Sequence, residues 1–371
     1  MQEKKTIQSI QALRGIAAIL VMFYHKKDTF IIQGKNYGEC FFGAGAMGVD
    51  LFFILSGFIM MMISKNNSPQ KLFNFTSVIK FWINRFTRII PLYFIVTILF
   101  YLSVWRGFNF LHDPVSLNNL EKTFLFIPLN GRDIAPFYGY AAMSVGWTLN
   151  YEMFFYGLFG ISLLFGKWRW YFFIGLMLCN LILIPTILKG YFSLDAMHHY
   201  HFTYGYLNLI TNPINLDFLL GILIGFLIFR NNTWKIGKIW SFICLILSFI
   251  YVVILYVTRW DAMHGITRWA TPIAIFLFFV IYTELNYGLR VPIFLSYLGK
   301  LSYSIYLIHL MMQYWTRSLF VHTKLSMYLN TPLYLIVASI FTIIIAIIFQ
   351  YLIENKLSNY LKQILIKLCR I

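Results

Sequence analysis

Residues 9–28 read SIQALRGIAAILVMFYHKKD, and the fold follows from how this stretch is taken. Gly15 to Tyr24 is almost wholly apolar, so the stretch predicts a membrane-spanning helix with Arg14 low in it and His25 at its far end. Eleven residues make about three helical turns, which puts Arg14 and His25 on nearly one face, ~16 Å apart along the axis. Asp28 follows at i+3, the spacing of side-chain neighbours. An arginine in mid-span costs roughly 2.5–3.5 kcal/mol and normally faces a polar interior. One face of one helix thus offers an anion-binding group, a general base and a partner for that base. A plainer reading fits the same residues: His25 and Asp28 as polar boundary residues, and Arg14 snorkelling to headgroups.

Composition decides the class. Of 371 residues 60% are hydrophobic and only 12% charged, against about 25% charged in average soluble chains. The expected fold class is all-α: a polytopic membrane protein of about ten helices, residues 1–371 forming a single integral membrane domain. The net charge of +17 would suggest nucleic acid in a soluble chain. Here it fits basic loops against anionic lipid, with an anionic ligand in addition. Lys4 and Lys5 before an apolar run resemble a signal peptide, but cleavage would discard the Arg14–His25 face, so the segment is read as retained. Cys40, Cys179, Cys244 and Cys369 show no metal-like or disulfide-like spacing.

Apolar runs place spans at about 9–28, 46–64, 85–105, 145–166, 168–189, 212–230, 238–258, 269–287, 294–316 and 332–354, each near the ~20 residues a bilayer needs. The longest loops, about 106–144 and 190–211, are aromatic and polar, and no internal repeat is seen. An even number of spans puts both termini on one side. That side collects 18 basic residues, including Lys71, Arg85, Arg88, Arg230 and Arg370, against 11 on the other, which puts both termini in the cytoplasm. His25 and Asp28 then lie toward the outer face.

Several stretches carry further signals. In Gly43–Met62, GAGAMGVDLFFILSGFIMMM, the glycines match a dinucleotide fingerprint only by accident, because no strand precedes them. They are read as helix-packing residues, with Asp50 and Ser56 adding polar groups to an apolar helix. Arg85 and Arg88, in FWINRFTRIIPLYF, suit a phosphate clamp as well as an ordinary positive-inside anchor. Ser144–Gly160, SVGWTLNYEMFFYGLFG, holds Trp147 and the intramembrane carboxylate Glu152, a site hypothesis by default. LGKLSYSIYLIHL, residues 298–310, brings Tyr303, Tyr306 and His309 onto overlapping faces, where bonds between helices are the simpler reading. The tract His198–His201 resembles a metal site but has no carboxylate cluster beside it, and no metal is expected.

The order of these pieces resembles the acyltransferase-3 family of integral membrane O-acyltransferases. LRGIAAILVMFYH, GVDLFFILSGF, RFTRIIPLYF, GWTLNYEMFFYG and LGKLSYSIYLIH stand in the family's order over essentially the whole chain. The opening is most similar to members that decorate bacterial exopolysaccharide or O-antigen, here without an SGNH hydrolase domain. The resemblance implies transfer of an acyl group, usually acetyl, from acyl-coenzyme A as co-substrate to a carbohydrate hydroxyl, with no permanently bound cofactor. It implies a multi-pass protein of the inner (plasma) membrane whose partners are acyl-coenzyme A, a polysaccharide or lipid-linked saccharide, and lipid. Carried over, His25 is the catalytic histidine, with Arg14 and Asp28 beside it. Arg14, Arg85 and Arg88 are the donor-binding residues. Asp50, Ser56, Trp147, Glu152, Tyr303 and His309 are assigned to the supporting substrate pocket. A flippase for an anionic or lipid-linked saccharide is the main alternative, although transporters often show repeats and broken spans in both halves. A non-catalytic partner in a polysaccharide assembly complex is the other.

Overall fold

The computed structural model describes residues 7–66, 73–229 and 235–369. Lys4 and Lys5, read above against a signal peptide, and Lys71, Arg230 and Arg370, used above for orientation, lie outside them. The chain is 78% helical, and a two-residue hairpin, Ile31–Ile32 against Lys35–Asn36, is the only sheet among the described residues. Gln33 (φ 49°) and Gly34 (φ 76°) form its turn, the left-handed pair that a tight two-residue hairpin requires.

The α-helices, in order, are α1 Gln8–Tyr24, α2 Tyr37–Phe42, α3 Gly48–Asn66, α4 Phe75–Val104, α5 Pro114–Phe124, α6 Trp147–Ser162, α7 Arg169–Leu178, α8 Ile184–Lys189, α9 Gly205–Thr211, α10 Leu216–Phe229, α11 Lys238–Thr258, α12 Ala270–Tyr287, α13 Ile293–Val321, α14 Pro332–Phe349 and α15 Ser358–Leu368. Each of the ten apolar runs contains α-helix. Among the described residues six helical stretches are long and apolar enough to cross a bilayer, or seven if the pair Gly205–Thr211 and Pro213–Phe229, bent by 44°, is one span. This is a multi-pass all-α membrane protein.

Boundaries differ from the apolar runs where polar groups act. The third run was expected to begin at 85, but α4 starts ten residues earlier, where the Asn74 side chain accepts a hydrogen bond from Ser77 N–H and caps the helix. The loop expected at 106–144 contains α5, capped by Asp113, whose carboxylate accepts from Ser116 N–H at 2.9 Å. Hydrogen bonds from the Ser116 side chain and backbone N–H together hold the Asp113 carboxyl below its usual range. The break between the fourth and fifth runs falls at Gly166, with φ 51° and ψ −117°. The first run stops early: α1 ends at Tyr24, and a 3-10 turn, Lys27–Thr29, follows His25.

The chain packs as two compact units, Met1–Ile63 with Leu216–Ile343, and Ser64–Asn215 with Ile344–Ile371. In the first, Ile10, Leu13, Ala17, Leu51, Ile54, Phe58, Ile273, Leu277 and Ile281 form one buried core. Its helices approach closely at glycines. A Cβ on Gly299 of α13 would stand 1.9 Å from the Gln11 carbonyl oxygen of α1, and one on Gly221 of α10 would stand 1.9 Å from the Ile54 carbonyl oxygen of α3. The second unit has an aromatic core that includes Tyr93, Tyr138, Tyr151, Phe155 and Phe173.

Candidate active site

The first turn of α1 is tied down by Glu284 of α12, whose carboxylate accepts from Gln8 N–H (2.7 Å) and Ser9 N–H (2.9 Å). A carboxylate at a helix N-terminus satisfies free donors and complements the helix dipole. From there α1 runs parallel to α13. The offset is 288 residues both where Gln11 meets Gly299 and where the His25 carbonyl accepts from Gln313 Nε2 at 3.1 Å. This register carries His25, at the C-terminal end of α1, to His309 in the middle of α13. Their ring centroids are 5.2 Å apart with a 36° tilt.

His309 is fully buried. Its Nδ1 lies 3.2 Å from the carbonyl oxygen of Ile305, one turn earlier. A carbonyl only accepts, so this nitrogen carries the proton and Nε2 keeps a free lone pair. Nε2 has no hydrogen-bond partner among the described residues. His25 is partly exposed. Two imidazoles are thus placed side by side, one of them oriented as an acceptor.

Asp28 is not part of this arrangement. It is exposed, and none of its hydrogen bonds or ion pairs among the described residues reaches His25. Spacing of i+3 makes neighbours only along a continuous helix, and α1 has ended before Asp28. Arg14 is half-buried on α1, beside the Gly15–Gly299 contact. Tyr306 packs edge-on against Phe52 and lies 6.1 Å from His309, centroid to centroid. Tyr303 and Ser56 are partly buried on α13 and α3. Asp50 belongs to another cluster: its carboxylate accepts from Gly265 N–H (2.8 Å) and is 2.7 Å from His264 Nδ1. It thereby anchors the turn between α11 and α12 to α3.

Lys26 was not singled out in the sequence, yet its side chain is fully buried, with 0% exposure. Its Nζ donates to Ser339 Oγ of α14 at 3.3 Å. The neighbouring Lys27 behaves conventionally, pairing with Glu39 at 2.9 Å near the surface.

The second unit brings together Arg85 and Glu152. Tyr156, one helical turn after Glu152, donates its hydroxyl to that carboxylate at 2.5 Å. The buried Arg85 guanidinium lies over the rings of Tyr156 (5.1 Å) and Phe81 (5.7 Å) and interacts electrostatically with Glu152. Such stacking suits the planar guanidinium. Arg88 is exposed, so the two arginines meet different environments. Trp147 is buried against Phe137 and Tyr151. The histidine tract is structural in part: His199 Nδ1 accepts from His201 N–H at 2.9 Å, which leaves Nε2 as the donor to the Gly131 carbonyl at 2.8 Å. Burial holds His199 below the usual imidazole range.

Comparison with known proteins gives this geometry a context. A family model described as an acyltransferase domain matches residues 7–351. The chain belongs to the acyltransferase-3 family. It is 29% identical over 277 residues to the exopolysaccharide production protein ExoZ of Rhizobium meliloti, covering 72% of this chain and 76% of the relative. It is 26% identical over 309 residues to a putative acetyltransferase of Acidianus two-tailed virus, covering 82% of each. A shorter match, 29% over 164 residues, links it to the peptidoglycan O-acetyltransferase OatA of Listeria monocytogenes and covers 43% of this chain and 21% of that protein. No solved structure matches the chain significantly. This family member is a membrane acyltransferase, and the family match runs through both packing units.

Proposed function

We propose that this protein transfers an acyl group, acetyl in the first instance, from cytoplasmic acyl-coenzyme A to a hydroxyl of a cell-surface carbohydrate or its lipid-linked precursor. The observation that carries the reading is His25 held at the end of α1 against His309, in a chain of the acyltransferase-3 family. The names of ExoZ and OatA, which refer to exopolysaccharide production and peptidoglycan O-acetylation, support a glycan acceptor. We place the protein in the inner membrane with both termini cytoplasmic and treat residues 1–371 as one catalytic domain.

The residues take these roles. A sugar hydroxyl is a poor nucleophile at neutral pH, so His25 removes its proton as the oxygen attacks the acyl carbonyl. The tetrahedral intermediate then collapses, the thioester C–S bond breaks, and the imidazolium returns the proton to the departing thiolate. Arg14, on the same helix, polarises the thioester or holds the pantetheine arm. Arg88 and Arg85 receive the phosphates of the donor, by charge-assisted hydrogen bonds. Asp28, being exposed and unconnected to His25, has no step to perform.

Purified protein in lipid nanodiscs, given acetyl-coenzyme A and envelope polysaccharide, should release thiol and acetylate the glycan, read by mass spectrometry. A preparation that moves or binds saccharide without releasing thiol would replace this reading with the carrier.

A further inference from the structure

The buried lysine beside the proposed base has no role in that scheme. Burying an ammonium is costly unless an anion or several hydrogen bonds compensate. Lys26 offers three donors, yet among the described residues its only side-chain hydrogen bond is the 3.3 Å contact to Ser339 Oγ. Ser339 is itself committed, donating to the Leu335 carbonyl at 2.7 Å. Among the described residues no carboxylate pairs with it: Glu39, across the turn, is taken by Lys27 and Arg259.

What surrounds Lys26 points to substrate. Its charge acts electrostatically on His309, the imidazole that lies beside the His25 ring. The charges of Lys26 and His25 thus bear on the same imidazole, and that imidazole presents an unpartnered, fully buried Nε2 lone pair. A buried cation with spare donors and a buried acceptor beside a base suit a bound group carrying both a negative oxygen and a hydroxyl.

We propose that Lys26 is an anion-holding residue of the acyl-transfer site, its ammonium compensated by a negatively charged oxygen of the bound substrate. Two sources supply that chemistry. One is the oxyanion that forms when the acceptor hydroxyl adds to the acyl carbonyl and the carbonyl electron pair moves onto oxygen. The other is a carboxylate carried by the acceptor sugar. The inference rests on the acyl-transfer reading.

The test uses the full-length protein in nanodiscs with acetyl-coenzyme A, and two acceptors: envelope polysaccharide and the same material with its carboxyl groups reduced to alcohols. Wild type is measured first. No thiol release by wild type counts against the acyl-transfer reading itself and is thereby distinguished from failure at Lys26. With an oxyanion at Lys26, Lys26→Met lowers kcat by about 10²–10³-fold on both acceptors with KM little changed, and Lys26→Arg restores much of it. With a sugar carboxylate, Lys26→Met raises KM for intact polysaccharide about ten-fold or more and matches wild type on reduced material. Ser339→Ala separates packing from charge, since it removes the tie to α14 and keeps the ammonium, and turnover should persist. Lys26→Gln replaces Lys26→Met if the latter does not reach the membrane. Turnover within about two-fold of wild type on both acceptors, or equal damage from Ser339→Ala, would overturn the proposal.

Discussion

Gly299→Ala tests the helix pair that carries both histidines. The new Cβ would lie 1.9 Å from the Gln11 carbonyl oxygen and 2.4 Å from its carbon, both backbone atoms. A carbon–oxygen contact relaxes at about 3.3 Å, so α13 must move roughly 1.4 Å from α1, or bend. Overpacking of this kind costs typically 1–3 kcal/mol, partly offset by the ~1 kcal/mol by which alanine exceeds glycine in a helix. The functional effect should exceed the stability effect. His25 and His309 sit farther along the same two helices, and a misplacement of about 1 Å can cost 10²-fold in rate. Gly15→Ala meets its nearest atoms, Gly299 N and Leu298 Cβ, at 2.8 Å, so it should do less harm. Gly157→Ala, with nothing within 4 Å of the added carbon, should be neutral or slightly stabilising. Thermal unfolding in detergent and acetyl transfer in membranes with matched protein amounts give the two readouts. If Gly299→Ala melts and turns over like wild type, or if the three variants do not rank in this order, the account of the α1–α13 contact is wrong.

Other outcomes follow from the same geometry. His25→Ala should lose about 10²–10⁴-fold in transfer rate, and His25→Gln, which hydrogen-bonds but takes no proton, should fail equally; substantial turnover by the glutamine variant removes His25 as base. Asp28→Asn should leave transfer near the wild-type level, and a loss comparable to His25→Ala would restore Asp28 as its partner. Arg88→Ala should raise KM for acetyl-coenzyme A, each lost charge-assisted bond being worth roughly 1.5–3 kcal/mol, and should leave a truncated donor without the nucleotide unaffected. Arg85→Ala should lower both donor affinity and thermal stability, because the guanidinium also packs on Tyr156 and Phe81; a purely kinetic defect would count against the packing role. A cysteine at exposed Thr76 should resist a membrane-impermeant thiol reagent in intact cells and one at exposed Asn118 should react, and the reverse pattern would invert the proposed topology.

The helices were legible because apolar runs of bilayer length leave the backbone few other ways to satisfy its hydrogen bonds. Their ends were less so, since capping side chains such as Asn74 and Asp113 lie outside the apolar runs. Pairing between helices was not legible at all. Nothing local to Gly299 says that it abuts Gln11, yet that contact sets the register by which His309 reaches His25. Tyr156 could have been found: it stands four residues after Glu152, on the same helical face. Lys26 had no such signal, because a lysine after an apolar run ordinarily reaches for headgroups. Its burial depends on where α14 places Ser339.

Asp28 shows most plainly where the sequence argument stops. Its assignment as the partner of His25 assumed a helix unbroken to residue 28, and residues 16–28 contain no glycine or proline to say otherwise. The break comes from outside. The Lys27 carbonyl packs against Gly38, where a Cβ would stand 1.9 Å from that oxygen. Tyr37 and Gly38 N–H groups both bond to the Phe30 carbonyl, so the chain after α1 is folded back by residues beyond the hairpin. That fold-back turns Asp28 to the surface. It also directs Lys26 inward, exchanging the expected carboxylate near the base for a buried cation. A carboxylate would stabilise the imidazolium, whereas a cation suits the negative oxygen the base helps to create. The comparison of Asp28→Asn with Lys26→Met therefore decides which charge the reaction uses.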